Sequence, residues 1–254
     1  MDPIEIFAND KFTIFNDDAI ETLKRMPDDC LDAVIADLPY GRLKCKWDTP
    51  LDLPSMWKEL WRVCKPNAPI MLFGDMQFGI ELINSQKKYF KYEIVWDKVR
   101  HTTPFLINKR PGKITEYVFM FYKKQPVYNW KEMHTRHKVA KARKQNGEKA
   151  TDEIIDFTRV KNECYRYEPR LPTNIFSQVA PHQSKLIRNV TEKPQELLCH
   201  LVKYFSEKND LILDLTMGSG STGEAVINCG RRFVGIELEE KHFEVAKARL
   251  EKMK

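Results

Sequence analysis

Through the first half of this 254-residue chain, short apolar runs alternate with stretches in which apolar residues recur every three or four positions. The runs at 12–16 (FTIFN), 31–37 (LDAVIAD) and 68–74 (APIMLFG) predict strands, and the helical period of 18–26, 53–65 and 77–90 predicts the helices around them. Two further runs, 91–98 and 116–124, predict an antiparallel pair across the polar, basic loop Arg100–Lys113. Strands covered on both faces read as unbroken apolar runs, and helical crossovers join parallel neighbours. The expectation is therefore an α/β protein with a mostly parallel sheet. After Lys123 the rhythm breaks: 124–190 is polar, basic and rich in aromatics and prolines, which predicts an inserted module. Regularity returns with a helix over 191–210 that Pro194 opens, a strand at 211–215 and a Gly-rich turn. A helix at 221–230, a strand at 231–238 and a last helix from Glu240 complete the pattern. The expected organisation is thus 1–123, 124–190 and 191–254.

Charge adds a location to this picture. Residues 123–149 carry nine Lys or Arg against Glu132 and Glu148, a balance of +7, while the whole chain carries +6. The rest of the chain is therefore close to neutral, and the positive charge belongs to the inserted tract, interleaved with Tyr128, Trp130, His134 and His137. Such a tract suits a polyanion; a solvated lysine-rich face would carry the same balance. Six cysteines without a Cys-x-x-Cys pair point to reduced thiols, a cytoplasmic setting and no metal site. No apolar run of membrane-spanning length occurs, and the N-terminus has no leader pattern, so neither export nor a membrane is expected.

Two stretches carry chemistry. The strand at 31–37 stops in a carboxylate, a proline and a bare aromatic ring, Asp37-Leu38-Pro39-Tyr40-Gly41. The other, DLTMGSGSTG, lies between a strand and a helix, with Gly218, Gly220 and Gly223 in G-x-G-x-x-G spacing. Glycines there allow close backbone approach, and the helix N-terminus offers amides. A dinucleotide fold would use the same turn, and Glu237, ending the next strand, would bind ribose hydroxyls in either case. Asp214, just before the turn, would repel a pyrophosphate but could order an ammonium. The turn also belongs to the last sixty or so residues, with little sheet after it, whereas a nicotinamide domain needs more. S-adenosylmethionine, with ribose, ammonium and no phosphate, fits better.

Together, in this order, DLPYG with the nearby KWD, and DLTMGSGSTG with RRFVGIEL, resemble the permuted β-type DNA amino-methyltransferases of bacteria and phages, which act on adenine N6 or cytosine N4. The likeness covers nearly the whole chain outside the insertion. It implies a Rossmann-like S-adenosylmethionine-dependent fold with a circularly permuted motif order, in which residues 124–190 would recognise the DNA target. It also implies Asp37, Leu38, Pro39 and Tyr40 as the catalytic turn. The family's motif has proline where Leu38 stands; the group needed there is the main-chain carbonyl, which leucine also supplies. Around the cofactor the resemblance places Asp18, with Asp17 competing, then Thr191, Lys193 and Pro194 from a Thr-x-Lys-Pro pattern, then Asp214, Thr216, Gly218, Ser219, Gly220 and Glu237. Asp17 or Asp18, and likewise Thr191, would equally serve as helix caps. Phe73 and Gly74 could pack beside the cofactor, although Phe73 also reads as core. Arg100, Lys109, Arg110 and Lys113 in the loop, and Lys141, Arg143 and Lys144 in the insertion, are the candidate DNA contacts, with solvated loops as the alternative.

An exocyclic amine is a poor nucleophile because its lone pair is delocalised. If Asp37 and the Leu38 carbonyl accept its two hydrogens, the nitrogen pyramidalises and can attack directly. The base must leave the duplex, and Tyr40 offers a ring to stack on. Asp at 37 together with Tyr40 favours adenine N6 over cytosine N4; C5 chemistry needs a Pro-Cys nucleophile, and no such dipeptide occurs. A lapsed, purely DNA-binding relative is the alternative from another class. The expected partners are DNA, a second copy of the chain in a homodimer and, as in restriction-modification pairs, a cognate endonuclease.

Overall fold

The computed structural model describes residues 5–41, 50–100, 107–130, 172–179 and 192–253, together with the backbone of 138–141 and 165–168. One compact unit comprises Met1–Tyr128 with Asn174–Lys254, and a second comprises Asn129–Thr173.

The first unit is built on a nine-stranded sheet. In chain order its elements are β1 (Glu5–Ala8), β2 (Phe12–Asn16), α1 (Ala19–Arg25), β3 (Ala33–Ala36), α2 (Leu53–Val63), β4 (Ile70–Gly74), α3 (Met76–Ser85), β5 (Phe90–Asp97) and β6 (Thr115–Phe121). In the second unit, β7 (Lys138–Lys141) and β8 (Tyr165–Glu168) form an antiparallel ribbon. The first unit resumes with β9 (Ile175–Ser177), α4 (Gln195–Phe205), β10 (Leu211–Asp214), α5 (Ser221–Asn228), β11 (Arg232–Glu237) and α6 (Glu240–Leu250). The sheet order is β1-β2-β11-β10-β3-β4-β6-β5-β9. β1 and β6 run antiparallel to their neighbours; the other pairings are parallel.

Local chemistry explains where elements begin. Asp18, Asp52 and Asp75 each stand at a helix N-cap and accept backbone N–H groups of the first turn, as in Ser55 N–H to Asp52 Oδ2 at 3.0 Å and Phe78 N–H to Asp75 Oδ1 at 2.9 Å. α2 then buries Met56, Trp57, Leu60 and Val63 at three- and four-residue spacing, each contributing roughly 1.5–3 kcal/mol by leaving water. β3 and β4 are buried along their whole lengths, as strands covered on both faces must be.

Several expectations about element bounds need correction. The helix expected to reach Phe90 ends at Ser85, because Gln86 leaves helical geometry and closes a turn by accepting the Tyr89 N–H at 2.9 Å. Phe90 already belongs to β5, opposite Phe121. β1 was not foreseen; it is four residues long and is turned onto β2 by Asn9, whose side-chain oxygen accepts the Lys11 and Phe12 N–H groups at 2.8 and 2.9 Å. β9 is a three-residue strand inside the stretch expected to be wholly inserted, and it pairs with β5 in the main sheet. The helix expected from 191 is observed from Gln195, with Pro194 at its cap.

Candidate active site at the carboxyl edge of the sheet

Because β10 lies beside β3, two segments nearly 180 residues apart in sequence end side by side. The contact is direct: the Thr216 hydroxyl donates to the Asp37 main-chain oxygen at 3.1 Å. The expected catalytic turn and the Gly-rich turn therefore share one edge, where open α/β sheets bind ligands.

At the turn after β3, Leu38 is buried in the hydrophobic core at 2% exposure. Its apolar side chain thus anchors the turn where a proline would stiffen it. On the Asp37 carboxylate, Oδ1 accepts from the Tyr40 hydroxyl at 3.0 Å, and Oδ2 meets the Lys193 ammonium at 2.5 Å. Burial raises the Asp37 carboxyl above its usual value, against the opposing pull of Lys193. Tyr40 packs against Phe78 with ring centroids 4.6 Å apart and the ring planes tilted by 34°, and burial pushes its phenol well above the usual range.

Around the Gly-rich turn, Asp214 is buried and accepts the Thr216 N–H at 3.1 Å. Burial raises its carboxyl to about 7, with neighbouring carboxylates at Asp37 and Glu237 adding to the effect. Glu237 accepts Gly218 N–H on Oε2 and Glu239 N–H on Oε1, both at 2.9 Å, so the acid ties its own strand end to the turn. Burial raises its carboxyl too. Gly220 has φ of 78°, and a Cβ there would stand 3.0 Å from the Cβ of Ala246 on α6, so the left-handed turn and the close helix contact both require glycine. Ser219 is buried beside it.

Asp18 reaches the same edge, since Asp17 N–H donates to Glu237 O at 3.1 Å. Its Oδ1 caps α1 through Ile20 and Glu21, both at 2.9 Å; Asp17 is held by Thr22 at 2.7 Å and by Arg25. Thr191 lies outside the described residues. Lys193 and Gln195 bridge the two turns, with Pro194 between them at the cap of α4: Lys193 ends on Asp37, and Gln195 donates to Ser221 O at 2.9 Å at the start of α5. Phe73 is core, buried at 1%, and carries the Lys193 ammonium 5.0 Å above its ring.

Of the candidate DNA contacts, Arg100, Lys109 and Arg110 are exposed. Lys113 is partly engaged with the Asp75 carboxylate at 4.0 Å. Lys141 lies in β7, of which only the backbone is described, and Arg143 and Lys144 lie outside the described residues, as do Trp47 and Asp48. Two groups, Glu116 and Lys98, were missed by sequence reasoning. Glu116, near the start of β6, pairs with Lys193 at 3.0 Å and with Lys98 at 2.6 Å. The two ammoniums overcome the effect of burial and hold the Glu116 carboxyl below its usual value. Its only signal in the sequence is a lone acid ahead of an apolar run.

The donor set at the Gly-rich turn suits S-adenosylmethionine: carboxylates for ribose hydroxyls and an ammonium, a glycine-lined approach, and no cation in the turn for a pyrophosphate. Among the described residues no His/Cys/Asp/Glu cluster could hold a metal ion, and no helix is long and apolar enough to cross a membrane.

Fold and site together define an S-adenosylmethionine-dependent methyltransferase. The profile of the N6/N4 DNA methylase family matches residues 31–248, and the chain belongs to that family. It is 26% identical over 262 residues to the DNA adenine methyltransferase YhdJ of Escherichia coli (strain K12), covering 96% of this chain and 84% of that protein. It is 25% identical over 272 residues to the type II methyltransferase M.HinfI of Haemophilus influenzae, covering 95% and 69%. Among solved structures, the M1.HpyAVI–SAM complex superposes with a TM-score of 0.61 at 24% identity, covering 94% of this chain and 99% of the other. The cytosine-N4-specific PvuII DNA methyltransferase superposes at 0.70 with 14% identity, covering 97% and 91%.

Proposed function

We propose that this DNA methyltransferase is site-specific and methylates adenine at N6, with Asp37 and the Leu38 carbonyl gripping the amino group of a flipped-out base. The observation that carries the reading is the contact of Thr216 with the Asp37 carbonyl, which unites the acceptor turn and the cofactor turn. S-adenosylmethionine supplies the methyl group as part of a sulfonium. Asp214, Thr216, Gly218, Ser219, Gly220 and Glu237 would hold it, with Asp18, Thr191 and the backbone of Lys193-Pro194 at the rim. Asp37 Oδ2 accepts one amine hydrogen and Leu38 O the other; the nitrogen lone pair is thereby freed from the ring, and Asp37 stands where it can take the proton released on transfer. Tyr40 orients Asp37 through its hydroxyl and offers its ring to the base.

Adenine is favoured by Asp at 37 and by the relative named as an adenine enzyme. Cytosine N4 is the second reading, supported by the likeness to the PvuII enzyme. A cytoplasmic setting, a homodimer and a cognate endonuclease belong to the same proposal. Sequencing modified bases in DNA from cells expressing the chain tests it: N6-methyladenine at one short sequence is expected, and N4-methylcytosine there would reverse the base assignment.

A further inference from the structure

Four charged side chains cross the sheet edge in alternating sign. Asp37 follows β3; the Lys193 ammonium lies over Phe73 of β4; Glu116 stands near the start of β6; Lys98 follows β5. The contacts are 2.5 Å from Lys193 to Asp37, 3.0 Å from Lys193 to Glu116 and 2.6 Å from Lys98 to Glu116. The side chains of Lys193 and Glu116 are 8% and 14% exposed. Charges so enclosed persist only when paired, because a buried ion stripped of its partner loses its hydration with nothing in return.

In the proposed reaction, Asp37 Oδ2 must accept an N–H from the target amine, yet Lys193 already donates an N–H to that oxygen. The ammonium opposes the effect of burial on the Asp37 carboxyl and holds it in place. When the base arrives, its amine competes with the ammonium for that oxygen, and an ammonium that gives way must not become a buried cation with no anion. Glu116, anchored from the far side by Lys98, already touches it.

We propose that Glu116 is a positioning residue that receives the Lys193 ammonium when the target amine displaces it from Asp37, so that acceptor capture is an exchange of partners along a fixed row. The inference rests on the reading of Asp37 as the amine acceptor. Lys193 and Glu116 act through Asp37; neither needs to touch the methyl group.

Asp37 feels Lys193 ahead of α4, Glu116 from β6 and Tyr40 in its own turn; Asp214 of β10 couples to it, Asp75 at the α3 cap acts on Tyr40, and Lys98 reaches it through Glu116. Removing the cation or the neighbouring anion must therefore move the Asp37 titration in opposite directions. The test uses the full chain with ¹³C-labelled aspartate, together with methyl transfer to unmethylated plasmid DNA, for the parent, Glu116→Gln, Glu116→Asp and Lys193→Met. Lys193→Met is expected to move the Asp37 carboxyl titration to higher pH and Glu116→Gln to lower pH. Glu116→Gln should bind the plasmid within about twofold of the parent, because phosphate contacts dominate that affinity. Its single-turnover rate should fall roughly 10- to 100-fold, the range for removing a charge-assisted hydrogen bond, and Glu116→Asp should restore part of it. A parental rate and an unmoved Asp37 titration in Glu116→Gln would overturn the proposal. If the parent transferred no methyl group to DNA, the functional reading would fall instead, while the opposite titration shifts would still test the row.

Discussion

At the scale of single residues, the site is a set of carboxylates with distinct environments. Asp214 shows this best. Its carboxyl is raised to about 7 chiefly by burial, so near neutral pH it is part protonated before a cofactor binds. A cofactor ammonium beside it favours the ionised form, so affinity must rise as pH passes upward through 7. From pH 6 to pH 8 we expect S-adenosylmethionine to bind about tenfold tighter in calorimetric titration. Asp214→Asn should bind more weakly and lose the slope; a flat profile in the parent would remove Asp214 from the ammonium. Asp37, Asp214 and Glu237 were legible in the sequence because each closes an apolar strand run, and Tyr40 because it stands between proline and glycine in the turn after one. Glu116 and Lys98 were not, since a lone acid and a lone lysine at strand ends look like surface residues. Only the pairing of β6 between β4 and β5 brings them to Asp37. Asp18 remains double-valued: its carboxylate caps α1 at the same edge that Glu237 occupies.

At the scale of elements, strand–turn–helix junctions set the site, and glycine is required where a helix packs close. Gly220 and Gly230 both have positive φ, but a Cβ at Gly220 meets α6, whereas one at Gly230 meets nothing within 4 Å. Alanine at Gly230 should cost only backbone strain, about 1 kcal/mol. Gly220→Ala should cost more than Gly230→Ala in urea unfolding and should also weaken cofactor binding, which Gly230→Ala should leave unchanged. Equal losses in both would deny the close α5–α6 approach. The repeating strands and helices were readable because their periods differ. β1 and β9 were not, being four and three residues long and stabilised by pairing with sheet neighbours rather than by their own pattern.

At the scale of the whole molecule, the order of the chain is the reverse of what a linear reading of the chemistry suggests. The proposed acceptor turn at Asp37–Gly41 comes first and the Gly-rich turn last, and the sheet closes the gap by placing β10 against β3. Between them in sequence stands the basic tract, whose charge was plain from its residues while its sequence follows no short period. If this tract holds the duplex, replacing Lys141, Arg143 and Lys144 together by glutamine should weaken DNA binding at all sequences. The slope of log affinity against log salt should flatten by roughly 0.9 for each phosphate no longer neutralised, and an unchanged slope would assign those side chains to solvent. The central claim is that Asp37 activates an adenine amine on DNA. Nucleoside mass spectrometry of DNA incubated with S-adenosylmethionine and either the parent chain or Asp37→Ala tests it most directly. N6-methyladenine is expected with the parent and at least about a thousandfold less with Asp37→Ala, the variant still binding DNA and cofactor. Undiminished N6-methyladenine from Asp37→Ala would contradict it.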